Sequence, residues 1–363
     1  MPTPFTGLLR ANEIFASDFN MILSQEVNAD NIADSYDSLV ERARVDGGLY
    51  GDTKLYYESD ALRSYPWTGD NEAANLLNIH RPADPACQAI VIDQFRQIPV
   101  TVDSYLTKRM WLGEGAFAQF NGVAIGWLSV TKKVHDETTY NVFLGTNKTL
   151  VGKQHLTVNI DAVNAPTDTA DEESAARIRG QKIAQTIANL FIQLRRPSRE
   201  YNDLAFLRSY SARSLIIIWN SKYVNEVQNI DLPTVFHDEK VSKDLFKDEN
   251  ILPEEYFGDV NAAATAGDGS TVRSSIEQEI GSNHYFAGDL IALGDTAPAG
   301  TSYTQSSKII CKVVAKLPPF MSGFVVGTSF FNARSLTETH FLTWSRNTLE
   351  HFSGKPFITI EEQ

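Results

Sequence analysis

The clearest element in the hydrophobic pattern is an amphipathic helix that starts after Thr169 and ends before Pro197. Glu172 follows Thr169 by three positions, the spacing of a capping box. Apolar residues then recur at intervals of three and four and predict one buried face: Ile183, Ile187, Leu190, Phe191 and Leu194. Arg195 and Arg196 suit the negative end of the helix dipole, and Pro197 cannot continue the helix.

A polar joint, residues 197–203, leads from this helix toward a short, fully apolar strand at residues 215–219. A continuous run of apolar, β-branched residues is typical of a strand that is buried on both faces. No recognisable catalytic motif stands at this helix-to-strand junction. The absence of such a motif favours a structural protein over an enzyme.

The rest of the pattern predicts a mixed α+β chain. Residues 1–45 predict two helical segments, and residues 107–143 predict one long helical region. In that region Gly122 and Gly126, four positions apart, would allow another helix to approach closely. Short helices with proline in the first turn are predicted at 232–236 and 252–257. Further strands are predicted at residues 155–160, 289–294, 309–315, 322–331, 340–344 and 356–360.

An extended β-arm is predicted where residues 54–58 and 89–100 flank a long polar stretch rich in proline. A two-stranded arm has little core of its own and is marginal in water when nothing covers it. The arm therefore packs either on another chain or back on its own domain, and the sequence leaves these two alternatives open.

Composition narrows the classes of function. The chain has 363 residues, 42% of them hydrophobic, which is enough for one large or two moderate domains. The net charge of −13 argues against a protein whose main function is to bind nucleic acid tightly. It does not exclude a protein that encloses nucleic acid. No apolar run reaches the length of a membrane span, and no signal peptide is predicted. Cys87 and Cys311 are expected to be free, buried thiols.

No catalytic, metal-binding or cofactor-binding residue is predicted. The seven histidines form no H-x-x-x-H or H-E-x-x-H pair, and the chain has neither a G-x-S-x-G elbow nor a phosphate-binding loop. His237 and Asp238 are the best remaining candidates for chemistry, but adjacent residues on a helix point in different directions. We interpret them as solvated polar residues.

The order of these parts resembles the major capsid protein of tailed bacteriophages, which has the Hong Kong 97-like fold. The resemblance is strongest to short-tailed phages with small genomes. It is carried by residues 92–100 with the helix after them, and by residues 196–202, 215–220 and 327–337. These segments are packing patterns and not catalytic signatures.

The resemblance implies five parts of the chain. Residues 1–46 would be an N-terminal arm, and residues 47–102 an E-loop that lies across a neighbouring subunit. Residues 103–214 would form a peripheral domain with its spine helix at 171–196. Residues 215–293 would fall mostly in an axial domain, and residues 294–363 would supply C-terminal strands that complete both sheets.

The resemblance also implies function and partners. The protein would be a structural, non-enzymatic shell subunit that forms pentamers and hexamers, works with scaffolding and portal proteins, and encloses double-stranded DNA without sequence-specific binding. It would contact no membrane and would belong to a virion assembled in the host cytoplasm. Candidate subunit contacts fall on the β-arm and at the polar joint: Tyr56, Trp67, Phe95, Arg96, Arg195, Arg196, Arg199 and Tyr201.

Two alternatives remain at this stage. One is an encapsulin-like compartment, which has the same fold but stores a cargo protein instead of DNA. The other is a cytosolic hydrolase with a site in the lobe of residues 223–258, around His237 and Asp238.

Overall fold

Two five-stranded mixed sheets form the framework of the protein. The structure, a computed structural model, describes residues 38–64, 79, 81–82, 84–103, 114–145, 153–160, 172–228, 250–261, 277–280, 283–286, 302–305 and 308–363. The described helices are α1 (Leu39–Ala43), α2 (Glu114–Gly145), α3 (Glu172–Arg195) and α4 (Ser221–Gln228), with 3₁₀ turns at Ala212–Ser214 and Glu254–Tyr256. The described strands are β1 (Arg44–Asp46), β2 (Thr53–Glu58), β3 (Ala86–Asp103), β4 (His155–Val158), β5 (Ile216–Asn220), β6 (Ile251–Leu252), β7 (Gly258–Asn261), β8 (Glu277–Ile280), β9 (Asn283–Phe286), β10 (Ser302–Gln305), β11 (Ile309–Val314), β12 (Phe320–Asn332), β13 (Thr337–Asn347) and β14 (Phe357–Glu362).

The first sheet, in the order β4-β14-β11-β5-β6, is buried on both faces. On one face Ile217 and Trp219 of β5 pack with the apolar stripe of α3 and with α4. On the other face Ile218 packs with α1 and with the last turns of α2. This double coverage explains the uninterrupted apolar sequence of β5, since both sets of alternating side chains lie in a core.

The second sheet has the order β1-β12-β13-β3-β2 and is built around long strands. The first part of the 18-residue β3 pairs with β2, and its second part pairs with β13. One strand therefore continues from the β-arm into the body of the protein. Two further pairs, β7 with β10 and β8 with β9, are separate two-stranded sheets.

Helix α2 links the two sheets. Its last turns bury Tyr140 and Phe143 against the first sheet, and the Tyr140 hydroxyl donates to the Pro318 carbonyl at 2.7 Å. Burial raises the pKa of Tyr140 well above its usual value. Earlier in the helix, the His135 ring meets Trp344 of β13 edge-on, with the ring centroids 5.7 Å apart.

Most elements predicted from the sequence are confirmed, and their boundaries shift by a few residues. The long helical region, the capping-box helix, the apolar strand and the C-terminal strands are all present. Helix α4 was not predicted. Residues 221–228 follow β5 directly, with no loop between them, and they lie in a stretch of the sequence that is rich in charged residues. The segment predicted as a short helix at 252–257 contains only a 3₁₀ turn. The segments at 1–37, 229–249 and 287–301 lie outside the described residues.

The hydrophobic core bears on the predicted domain boundary between residues 214 and 215. Ile187 of α3, Trp219 of β5 and Tyr223 of α4 belong to one cluster of buried residues. The helix that the resemblance gave to the peripheral domain thus shares its core with the strand given to the axial domain. The names of the domains stay predictions.

Candidate functional site

The polar joint that follows α3 is a compact loop closed by its own hydrogen bonds. The Ser198 and Arg208 backbones bond to each other in both directions, at 2.9 and 3.0 Å. Inside the loop, the Asn202 side chain accepts from the Phe206 amide and donates to the Phe206 carbonyl, both at 2.8 Å. Ala205 has a positive φ of 52°. The joint is therefore a rigid fold of the chain and not an extended linker.

The base of the β-arm docks on this loop through charged side chains. Asp60, just after β2, accepts from the Leu207 amide at 2.9 Å and from the Arg199 guanidinium at 2.5 Å. Arg208 donates to the Ser59 carbonyl at 2.8 Å. The Leu207 amide, followed by Arg199, lowers the pKa of Asp60 from 3.8 to about 2. The carboxylate thus stays charged at any ordinary pH.

A third partner, the turn between β13 and β14, closes the other side of the loop. Asp203 accepts from the Gln154 side chain at 2.7 Å, and its second oxygen lies 2.8 Å from His351 Nε2. The Asp203 amide donates to the Ser353 carbonyl at 2.8 Å. The joint thereby connects the arm, the start of β4 and the C-terminal turn of one chain.

These contacts bear on the two alternatives left open for the arm. The described base of the arm, residues 53–64 and 84–92, folds back on its own chain through β2, β3 and Asp60. The more distal stretch, residues 65–78, lies outside the described residues. That this stretch reaches a neighbouring subunit stays a prediction.

The four contact candidates on the arm fall in different surroundings. Tyr56 packs edge-on against Phe352 of the same chain, with ring centroids 5.0 Å apart. Phe95 is half exposed and stacks on Tyr50, with centroids 4.6 Å apart. Arg96 is partly buried on the opposite face of β3, and Trp67 lies outside the described residues. Of these side chains, Phe95 is the one most open to a partner.

The four candidates at the joint also separate. Arg195 and Arg196 are exposed, and Arg199 is exposed but already paired with Asp60. Tyr201 is only 5% exposed, and its hydroxyl donates to Gln193 at 2.6 Å. Tyr201 is thus a core residue within its own chain, because its ring packs with the α3 cluster.

Both faces of the second sheet carry exposed apolar residues along β12, and one of these faces forms an apolar surface that the sequence analysis missed. Phe330 of β12 pairs with Thr339 of β13, and Thr339 pairs with Thr101 of β3. Because directly paired residues point to the same side of a sheet, these three side chains lie on one face. The exposed apolar side chains on this face are Val326 and Phe330, joined by Phe95. We call it the outer sheet face. The sequence pattern that could have indicated this surface is the adjacent apolar pairs Val325-Val326 and Phe330-Phe331. In a strand, each such pair places one apolar side chain on each face of the sheet.

The described residues contain no group of three or more histidine, cysteine, aspartate or glutamate side chains that could hold a metal ion. Both cysteines are free, but only Cys311 is buried as predicted, and Cys87 is exposed because it lies at the start of β3 in the arm. Burial raises the pKa of the Cys311 thiol far above the usual value, so this thiol is unreactive. His237 and Asp238 lie outside the described part of the chain. None of the described helices is long and apolar enough to cross a membrane. The joint, the base of the arm and the outer sheet face therefore provide contact surface and fixed charge.

Comparison with solved structures shows the fold. One chain of the structure described as the capsid of Staphylococcus phage Andhra superposes with a TM-score of 0.61 at 10% identity, over 92% of this chain and 86% of that one. A chain from the structure of the head fiber and inner core protein gp22 of native bacteriophage P68 gives a TM-score of 0.52 at 10% identity, over 93% and 88%. No family model and no curated protein matches the sequence. The protein therefore has an α+β fold shared with proteins of phage heads.

Proposed function

We propose that this protein is the major capsid protein of a tailed bacteriophage, a structural and non-enzymatic subunit. The observation that carries the proposal is the likeness of nearly the whole chain to a chain of the Andhra capsid, with a TM-score of 0.61. Since that likeness covers 92% of this chain, it is not confined to one common motif. The exposed outer sheet face supports the proposal, since a shell subunit needs contact surface.

We further propose that the subunits form pentamers and hexamers of an icosahedral shell. One sequence must then make slightly different contacts in the two rings. The rigid joint keeps the body of the subunit the same in both rings. The outer sheet face provides the area through which the contacts can differ. Scaffolding and portal proteins are the further partners that this proposal implies.

The enclosed material is proposed to be double-stranded DNA, held without sequence-specific contacts. A net charge of −13 supports this, because a negative wall lets DNA pack nearby without adhering. An encapsulin-like compartment would enclose a cargo protein instead. The content of purified particles therefore distinguishes the two.

We propose a division of the body that differs from the boundary first predicted. Since α3, β5 and α4 share one core, we place α3 in the axial body. The 32-residue α2, which meets both sheets, is then the better candidate for the spine helix. The N-terminal arm (1–46) and the E-loop (47–102) keep their predicted bounds.

The proposal is tested by expressing the protein and examining it by analytical ultracentrifugation and electron microscopy. We expect closed shells or capsomer-sized rings, and particles from an infected host that contain this chain and nuclease-protected DNA. A protein that remains monomeric under all assembly conditions and is absent from phage particles would contradict the proposal. Particles with a cargo enzyme and no DNA would support the compartment.

A further inference from the structure

An open pocket of 380 Å³ lies between the base of the β-arm and the C-terminal turn. Its floor is aromatic, formed by Tyr56 of β2 and the buried Phe352. Its rim carries three cationic side chains, Arg208 from the joint, Lys316 after β11 and Lys355 before β14. Three segments that are distant in the sequence thus bring positive charge to one place. We call it the cationic pocket.

The charges in the cationic pocket are not balanced. Glu58 is the one carboxylate among the lining residues, at 3.6 Å from Arg208 and 3.8 Å from Lys355. Both separations exceed hydrogen-bond distance, and Glu58 Oε2 is buried without a hydrogen-bond partner among the described residues. With three cations and one anion, the lining carries a net charge of +2.

Lys316 is the least satisfied of the three cations. Its side chain is exposed, and among the described residues its ammonium lies over aromatic rings, 5.0 Å from the Phe352 centroid and 5.6 Å from that of Tyr56. The rings hold the ammonium in place by cation–π attraction and do not neutralise it. The side chain is therefore positioned to meet an anion that enters the pocket.

The charge of the whole chain indicates the source of that anion. The sequence has 45 acidic and 32 basic residues, so a second copy is a dense source of carboxylates. Nucleic acid fits less well, because its backbone presents a regular row of phosphates, and three cations in one pocket can neutralise only a few of them. A pocket of this volume admits one or two carboxylate side chains.

We propose that the cationic pocket binds an acidic segment of a second copy of this chain. The inference rests on the proposed function, because a shell brings many copies into contact. The base of the arm contributes β2 to the pocket, so an acidic side chain bound there would fix the position of the arm between two subunits.

Carbodiimide coupling on assembled protein tests the proposal. The reagent condenses a lysine amine with a carboxylate in direct contact to form an amide. The carbodiimide takes up the water lost in this condensation and becomes the corresponding urea. Assemblies made from an equal mixture of ¹⁴N- and ¹⁵N-labelled protein are coupled, digested and analysed by mass spectrometry. We expect mixed-isotope peptides that join Lys316 or Lys355 to an aspartate or glutamate, which identifies the partner segment.

Two double variants measure the contribution of charge. Lys316→Gln/Lys355→Gln should lower the salt concentration at which assemblies dissociate, while Lys316→Arg/Lys355→Arg should keep it near wild type. Lys222→Gln/Lys308→Gln, which removes two exposed lysines outside the pocket, is the matched control. A thermal melt of each variant confirms that the subunit is folded.

The outcomes separate this inference from the proposed function. If assemblies form but Lys316 and Lys355 couple only to Glu58 of their own chain, the inference is overturned and the proposed function stands. If a fluorescent DNA duplex binds wild type but not the Gln double variant, the occupant is nucleic acid and the inference is also overturned. If wild type never assembles, the proposed function fails and the inference fails with it.

Discussion

Gly145 and Gly126 lie in the same helix but meet different surroundings. A Cβ at Gly145, the last residue of α2, would lie 2.1 Å from the Tyr256 carbonyl oxygen. A Cβ at Gly126 would meet no described atom within 4 Å. The sequence predicted that Gly122 and Gly126 allow another helix to approach, whereas the described close approach is at Gly145.

The two glycines therefore give a matched pair of substitutions. Gly145→Ala forces backbone apart and should destabilise the protein by roughly 1–3 kcal/mol. Gly126→Ala should stabilise it by about 0.5–1 kcal/mol, because alanine loses less conformational freedom in a helix. Urea unfolding followed by circular dichroism measures both. Equal effects of the two substitutions would show that the Tyr256 contact is absent.

Asp60 gives a pH-dependent prediction. Its folded-state pKa of about 2 lies below the usual 3.8, so its contribution to stability is complete above pH 4 and is lost as the pH falls toward 2. The Leu207 amide, which donates to Asp60, should lose protection over that range, measured as its exchange rate relative to that of an unstructured peptide at the same pH. Hydrogen-exchange mass spectrometry of the peptide that contains Leu207 measures this.

Asp60→Asn is the corresponding variant. It should show faster exchange at Leu207 already at pH 5 and a smaller further change on acidification, since the charged acceptor is gone. Glu200→Gln breaks the exposed pair with Lys153 and is the control that should leave Leu207 protected. Unchanged protection in Asp60→Asn would mean that the arm base is not held by this carboxylate.

At the scale of elements, α3 shows how a strong local pattern predicts a helix and its buried face. The terminal arginines and Pro197 mark the C-terminal limit, and the 3.6-residue period selected Ile187 for the core, where it is fully buried. Ile192, on the other side, is 60% exposed. The same period distinguishes the two isoleucines without any tertiary information.

Ile187 and Ile192 supply the test at this scale. Ile187→Ala should cost about 2–5 kcal/mol of unfolding free energy, since it leaves a cavity between α3 and the first sheet. Ile192→Ala should change it by less than about 0.5 kcal/mol. Denaturant titration of both variants gives the comparison. A small effect at Ile187 would contradict the assigned packing of α3 on β5.

Helix α4 and strand β3 show where local patterns are insufficient. Helix α4 is only eight residues long and begins directly after β5, so it exists because Tyr223, Val224 and Val227 complete the α3 core. Strand β3 was predicted as one side of an arm. Its second half instead pairs with β13, a strand more than 230 residues later, and no local pattern specifies such a partner.

At the scale of the whole molecule, the outer sheet face is the surface on which assembly should depend. Phe330→Ser/Val326→Ser removes exposed apolar side chains from this face, so the subunit should fold with little change in stability but should fail to assemble. Analytical ultracentrifugation measures the loss of assemblies. Ile192→Ser, which removes an exposed apolar residue from α3, is the control and should assemble normally. Normal shells from the double variant would exclude this face as a contact.

The sequence by itself determined the α+β class, the C-terminal limit and buried face of α3, and the position of β5, because each of these depends on residues close together in the chain. It also determined the acidic balance that bears on partners. The tertiary structure decided that α3 and β5 share one core, that Tyr201 is internal, and that Asp60 holds the arm base against the joint. It also decided where the outer sheet face and the cationic pocket lie. These features combine residues from distant segments, and their contacts arise only when the long strands pair.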